Sequence, residues 1–217
     1  MHIHRTTAQE IWKRAITARK THCRRDGHSK ARWRLTTKSR AYFSKMRGKV
    51  SEDPEIYPVE AFWSFLGGFV GILMLSGANY FILGREDQVL LLATFGASAM
   101  LLFGAPGVPF AQPRNVLGGH VVSALVGIIV CKLLGPEGLF APALAVSVAI
   151  AVMHLSGTLH PPGGGTAMMM VTGSPELIDL GFFAALFPVA SGAAILVLTA
   201  LVINNLSRRR QYPIYWW

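Results

Sequence analysis

His160, Pro161 and Pro162 precede Gly163, Gly164, Gly165 and Thr166 in the middle of strongly apolar sequence. Two prolines donate no backbone hydrogen bond, and three glycines let the chain approach another backbone closely. Proline favours the start of a helix, so a break and a new helix beginning within residues 163–166 are expected here. The first amides of a helix have no intrahelical partner and together attract an anion. A second stretch, Gly96, Ala97 and Ser98, is expected to open a helix in the same way. Arg114 and His160 would add charge or donors to the pair. His120 and His154 read as packed polar residues, Lys132 as a helix-end charge that orients topology, and Met168 to Met170 as packing.

These residues need a membrane scaffold to hold them. From residue 61 to residue 206 the only charged side chains are Arg85, Glu86, Asp87, Arg114, Lys132, Glu137, Glu176 and Asp179. Apolar stretches with so few charges imply membrane helices. Four full helices are expected at about residues 61–83, 116–134, 141–155 and 180–206, the last kinked at Pro188. Two shorter runs, at 90–103 and 166–171, fall below the roughly 20 residues of a full span and read as re-entrant. Small residues at four-residue spacing (Gly67 and Gly71; Gly119, Ser123 and Gly127; Ala141, Ala145 and Ala149) predict close helix contacts. The octets 96–103 and 164–171 match by residue type at each position, a weak internal repeat of the kind found in transporters with broken helices. The class expected is an all-α integral membrane protein: about four transmembrane helices, two short broken or re-entrant ones, and an internal repeat. Lys and Arg at both ends place both termini in the cytoplasm and require an even number of crossings.

Residues 1–58 form a separate basic arm, 59–207 the membrane domain and 208–217 a basic, then aromatic, tail. Fifteen of the 21 Lys and Arg residues lie in the first 49, which makes the net charge of +10 a property of the arm. The arm has no apolar core of a secretory signal; an organelle transit peptide is the alternative to a cytoplasmic arm lying on anionic lipid headgroups. Its scattered aromatics match no nucleic-acid module. Cys23 and Cys131 imply no disulfide, and His22, Cys23 and His28 lack a fourth ligand at zinc spacing, so neither metal nor cofactor is expected.

The runs Gly96-Ala97-Ser98-Ala99, residues 111–120 from Ala111 to His120, and residues 160–167 from His160 to Ala167 resemble the HPP family of integral membrane proteins. Tyr212-Pro213-Ile214-Tyr215-Trp216 resembles the family's C-terminal end, and the likeness covers residues 58–217. The resemblance implies about four transmembrane helices, and an association with nitrite transport in plant plastid and cyanobacterial members. The regulatory domains of the CBS type carried by some bacterial members are not recognisable here. Residues and resemblance together lead to a transporter or channel for a small monovalent anion, nitrite foremost, rather than an enzyme. Its expected site residues are His160, Gly163, Gly164, Gly165, Thr166, Gly96, Ala97, Ser98 and Arg114. A homo-oligomer is expected because the membrane part is small, in a bacterial inner membrane or, alternatively, a plastid envelope. The competing readings are a non-transporting anchor that binds a partner through the basic arm, and an intramembrane enzyme using His154 and His160.

Overall fold

The computed structural model describes residues 57–79 and 85–217, and every regular element among them is helical. The expectations for the basic arm, Cys23 and the His22–His28 stretch lie outside the described residues. Helix α1 runs Pro58–Asn79, α2 Arg85–Ala99, α3 Pro113–Leu134, α4 Phe140–Ser156, α5 Gly163–Thr172, α6 Pro175–Asp179 and α7 Ser191–Leu206. A π-helical turn, Met100–Gly104, prolongs α2, and another, Ala185–Ala190, leads into α7. Phe187 leaves the helical region just before Pro188 (φ −134°, ψ 123°), which is the kink expected there.

Four segments are long and apolar enough to cross a bilayer: Pro58–Asn79, Asp87–Gly104, Pro113–Leu134 and Ala185–Leu206. The number expected from the sequence holds, but its membership changes. The run at 90–103 is not re-entrant: no proline interrupts it, and Gly96 lies mid-helix, so the helix continues to Gly104. The shorter helices are α4, with 17 residues, in place of the run at 90–103, and α5, with 10, where the run at 166–171 was expected to be short. At 1.5 Å per residue α5 is about 15 Å long, half the hydrocarbon thickness.

Contacts at the helix ends set the direction of each pass. Ser64 near the start of α1 donates to the Phe103 carbonyl at the end of α2 (2.8 Å), and Asn204 near the end of α7 donates to Leu102 (3.0 Å). Asn115 at the start of α3 donates to Leu159, just beyond α4 (2.9 Å). At the opposite end the Ser174 amide, beyond α5, donates to Asp87 at the start of α2 (2.9 Å). The helices α1 to α5 and α7 therefore alternate in direction. The start of α1 and the end of α7 emerge together, as an even number of passes demands.

The small-residue stripes are where these helices touch. A Cβ on Gly127 would lie 2.5 Å from the Ala167 carbonyl and 2.8 Å from Met170 Cβ, and one on Gly163 would lie 2.6 Å from Ser123 Oγ. Helix α5 thus rests on α3 with no room for a side chain on either glycine. Ala141, Ala145 and Ala149 are buried in the same layer. Gly67 and Gly71 of α1 both face the Phe103 ring. Gly127→Ala is expected to lower stability by about 1–3 kcal/mol, because backbone rather than a flexible side chain must give way. Gly68→Ala has open space within 4 Å and should be neutral or slightly stabilising, by up to about 1 kcal/mol for a helical site. Thermal unfolding in detergent of the two variants checks both signs.

Candidate functional site

The break after α4 places His160 under the first turn of α5, facing α2 and α3. Gly157, at the end of α4, has positive φ (66°) and turns the chain back into the bundle. Close approach then follows from glycine: a Cβ on Gly119 would lie 2.5 Å from His160 Cβ. His120, the next residue of α3, and His160 are both fully buried, with ring centroids 4.8 Å apart. Phe95 of α2 covers the other side of His120 at 4.5 Å.

Ser98 of α2 joins the two rings. Its Oγ lies 2.8 Å from His120 Nε2 and 2.9 Å from His160 Nε2. Thr166 Oγ1 of α5 is 2.7 Å from His120 Nδ1, and the Phe110 carbonyl is 2.7 Å from His160 Nδ1. With both rings neutral, one arrangement of protons satisfies all four bonds. A carbonyl only accepts, so His160 Nδ1 carries a hydrogen and its Nε2 is bare. Ser98 must donate to that bare nitrogen and therefore accepts from His120 Nε2–H. His120 Nδ1 is then bare and takes the Thr166 hydroxyl hydrogen. The proton order runs in one direction from Thr166 to Phe110 through four side chains from α2, α3, α5 and the break.

Ser98, His160 and Thr166, all expected from the sequence, come together here. The basis expected for them does not hold. The amides of Gly163, Gly164, Gly165 and Thr166 are already bonded to the carbonyls of His160, Pro161, Pro162 and Pro162, at 2.9, 3.1, 3.0 and 3.4 Å. The Pro-Pro turn winds directly into α5 and consumes the donors that a free helix start would expose. Gly96, Ala97 and Ser98 start no helix, because they lie inside α2. Ala97 and Gly165 instead line a groove of about 700 Å³ between α2 and α5, together with Thr94, Pro161 and Pro162. Gly163 packs on α3, and a Cβ on Gly164 would meet only Val146, at 3.6 Å. A Cβ on Gly96 would have open space around it.

Arg114 is not part of the cluster. It donates to the Ser156 carbonyl at 2.9 Å, and its guanidinium lies against Gly157. A cation there satisfies the last carbonyls of α4 and offsets the negative end of its dipole. His154 is exposed and makes none of the cluster's bonds. His120 is the residue that sequence reasoning undervalued. Its signal was position: an ionisable side chain inside a span, next to the glycine stripe by which α3 receives α5.

A second polar centre ties the ends of the bundle together. Arg210 donates through Nε to Glu60 Oε2 (2.7 Å), through Nη1 to the Phe103 carbonyl (2.9 Å) and Asn204 Oδ1 (3.1 Å), and through Nη2 to the Glu60 carbonyl (2.7 Å) and Ser64 Oγ (2.9 Å). The tail beyond it folds back, with Tyr212 Oη donating to the Ala111 carbonyl at 2.9 Å. Burial pushes the Tyr212 phenol above its ordinary range, so it remains a donor to that carbonyl. Gln112 holds both sides of this loop, donating to Pro106 and Val108 (2.9 Å each) and accepting from the Ile214 amide (2.8 Å). Phe110, which terminates the histidine cluster, therefore sits in a loop anchored by the C-terminal tail.

Alternating apolar helices around a buried polar group at a helix break define a multi-pass membrane protein, of a build consistent with a transporter or channel. The chain belongs to the HPP family: the family described as HPP, transmembrane region, matches residues 53–213. It is 44% identical over 179 residues to a transmembrane protein of Dictyostelium discoideum, covering 81% of this chain and 57% of that one. A second transmembrane protein of the same organism is 42% identical over 181 residues, covering 81% of this chain and 63% of the relative. The chain thus spans about three fifths of the length of these curated relatives. No solved structure matches it.

Proposed function

We propose that this protein carries a small monovalent anion across the membrane, nitrite foremost, and that the ion binds at the Ser98, His120, His160 and Thr166 cluster. The observation that supports this reading is a fully buried, hydrogen-bonded pair of histidines at a helix break within the apolar bundle. Polar residues at such depth are costly to keep and mark pathways. Irregular backbone is tolerated there where protein or a wet cavity surrounds it. The groove between α2 and α5 reaches the immediate neighbours of three cluster residues, Ala97, Pro161 and Gly165, which brings it close to the cluster.

Nitrite, rather than another small anion, is favoured by the resemblance to plastid and cyanobacterial members alone. We read the protein as a carrier or channel and not an enzyme, since the carboxylate of α2, Asp87, lies at the end of that helix away from the cluster and is engaged by Ser174. A homo-oligomer that covers the open side of the groove, and a basic arm lying on anionic headgroups, belong to the same reading. Both curated relatives are eukaryotic.

Uptake of nitrite, nitrate, chloride and formate into proteoliposomes tests the proposal. His160→Ala should reduce flux of the preferred anion at least about tenfold, the effect of one lost buried hydrogen bond to a charged ligand. Arg114→Ala, outside the cluster, should leave the flux of folded protein unchanged. Equal flux in the parent and His160→Ala overturns the site, and no flux of any of the four ions returns the protein to the membrane-anchor reading.

A further inference from the structure

We infer that the cluster takes up a proton together with its anion, one for one, so that the carrier moves no net charge; this rests on the anion-carrier reading above. In the neutral cluster every hydrogen is committed. Thr166 gives its own to His120 Nδ1, His120 Nε2–H to Ser98, Ser98 to His160 Nε2, and His160 Nδ1–H to the Phe110 carbonyl. The amides of residues 163–166 are committed too. An arriving anion finds neither a charge nor a spare donor.

A proton changes both at once. The bare nitrogens are His120 Nδ1 and His160 Nε2. When a proton adds to His160 Nε2, that nitrogen becomes a donor to Ser98 Oγ, and the Ser98 hydroxyl hydrogen it displaces is free to turn to an anion. When the proton adds to His120 Nδ1, the Thr166 hydroxyl is freed in the same way. Either event supplies one positive charge and one hydroxyl donor at a single place. Removing the anion alone would strand a buried cation, and removing the proton alone would strand a buried anion, each costing several kcal/mol. The two leave together.

Nothing else that is charged serves the cluster among the described side chains. The groups facing the two rings are Ser98 and Phe95 from α2, Thr166 from α5 and the Phe110 carbonyl. Of the titratable side chains on the packed helices, Asp87 binds Ser174 and Arg114 binds the Ser156 carbonyl. Lys132 lies over the Phe182 ring, Cys131 is buried beside Lys132 at the far end of α3, and His154 is exposed. The compensating charge must therefore arrive with the ion.

The test uses the parent protein in proteoliposomes with a luminal pH dye, and potassium with valinomycin to clamp the voltage. Nitrite is the probe, with leak of neutral nitrous acid through protein-free vesicles subtracted. The expected result is luminal acidification of one proton per nitrite, at a rate that the clamped voltage does not change, and Ser98→Ala losing proton and nitrite uptake together. Nitrite uptake that follows the voltage without acidification overturns the coupling and leaves the carrier reading standing. No nitrite uptake above protein-free vesicles overturns both. Because the decisive measurement is made on the parent, the proposal stays open to refutation even where Ser98→Ala fails to fold.

Discussion

Replacing Arg210 by alanine should destabilise the folded protein by about 2–4 kcal/mol, the cost of removing a buried guanidinium whose hydrogen bonds join a half-buried carboxylate to buried carbonyls. A guanidinium has five N–H donors, and all five are used here on acceptors from α1, the end of α2, and α7. The side chain is only 5% exposed. Its loss would strip the Phe103 carbonyl of one of its two donors and leave the Glu60 carboxylate without its countercharge. Arg210→Lys should recover little, since an ammonium has three donors and no planar fork to span Glu60 and Ser64 at once. Arg209→Ala is the control, because that residue lies 5.7 Å over the Tyr57 ring and is exposed, a contact worth about 0.5–1 kcal/mol. Chemical denaturation in detergent followed by tryptophan fluorescence separates the three. Equal stability of Arg210→Ala and the parent would show that this junction bears no load.

Why the π-helical turn sits where it does follows from the same group of contacts. Widening the last turn of α2 points the carbonyls of Leu102 and Phe103 away from the helix, and Asn204, Ser64 and Arg210 answer them. A helix end buried without such partners would be costly. Nothing in the sequence distinguishes Arg210 from Arg208 and Arg209, which form one basic run with it. Inward direction is decided by Glu60, which lies 150 residues away in the chain. Local patterning cannot carry information about a partner at that separation.

What patterning does carry is the contact between neighbours along a helix. The glycine stripe marked the α3 face that receives α5, the alanine stripe marked the buried face of α4, and Pro188 marked the break before α7, because each acts through its own shape. The break at residues 160–162 was legible for the same reason. Whether its amides stay free was not, since that depends on the turn geometry that closes Gly163 onto the His160 carbonyl at 2.9 Å. The echo between residues 96–103 and 164–171 misled because hydropathy does not record where a helix starts. One octet closes α2 and the other forms almost all of α5. The echo did bring Ser98 into view beside Thr166, and both prove to bond His120.

His120→Ala should cost about 3–5 kcal/mol of stability and abolish anion uptake. The side chain is fully buried, packs on Phe95 and links Thr166 to Ser98. Truncation leaves a cavity the size of a ring, comparable to large-to-small core changes of about 3–5 kcal/mol, and a threonine hydroxyl with nothing to accept its hydrogen. His120→Gln separates the two consequences. Its amide can donate to Ser98 much as Nε2–H does, so about half of the stability should return. An amide does not take up a proton near neutral pH, however, which leaves only the His160 route of protonation, so nitrite uptake should return in part and stay below the parent. A double-mutant cycle with Ser98→Ala should show the two losses overlapping by about 1–3 kcal/mol, because the first removes the bond that the second would break. Additive losses would mean that the imidazole and the hydroxyl act separately, and the single proton order running from Thr166 to Phe110 would not describe the cluster.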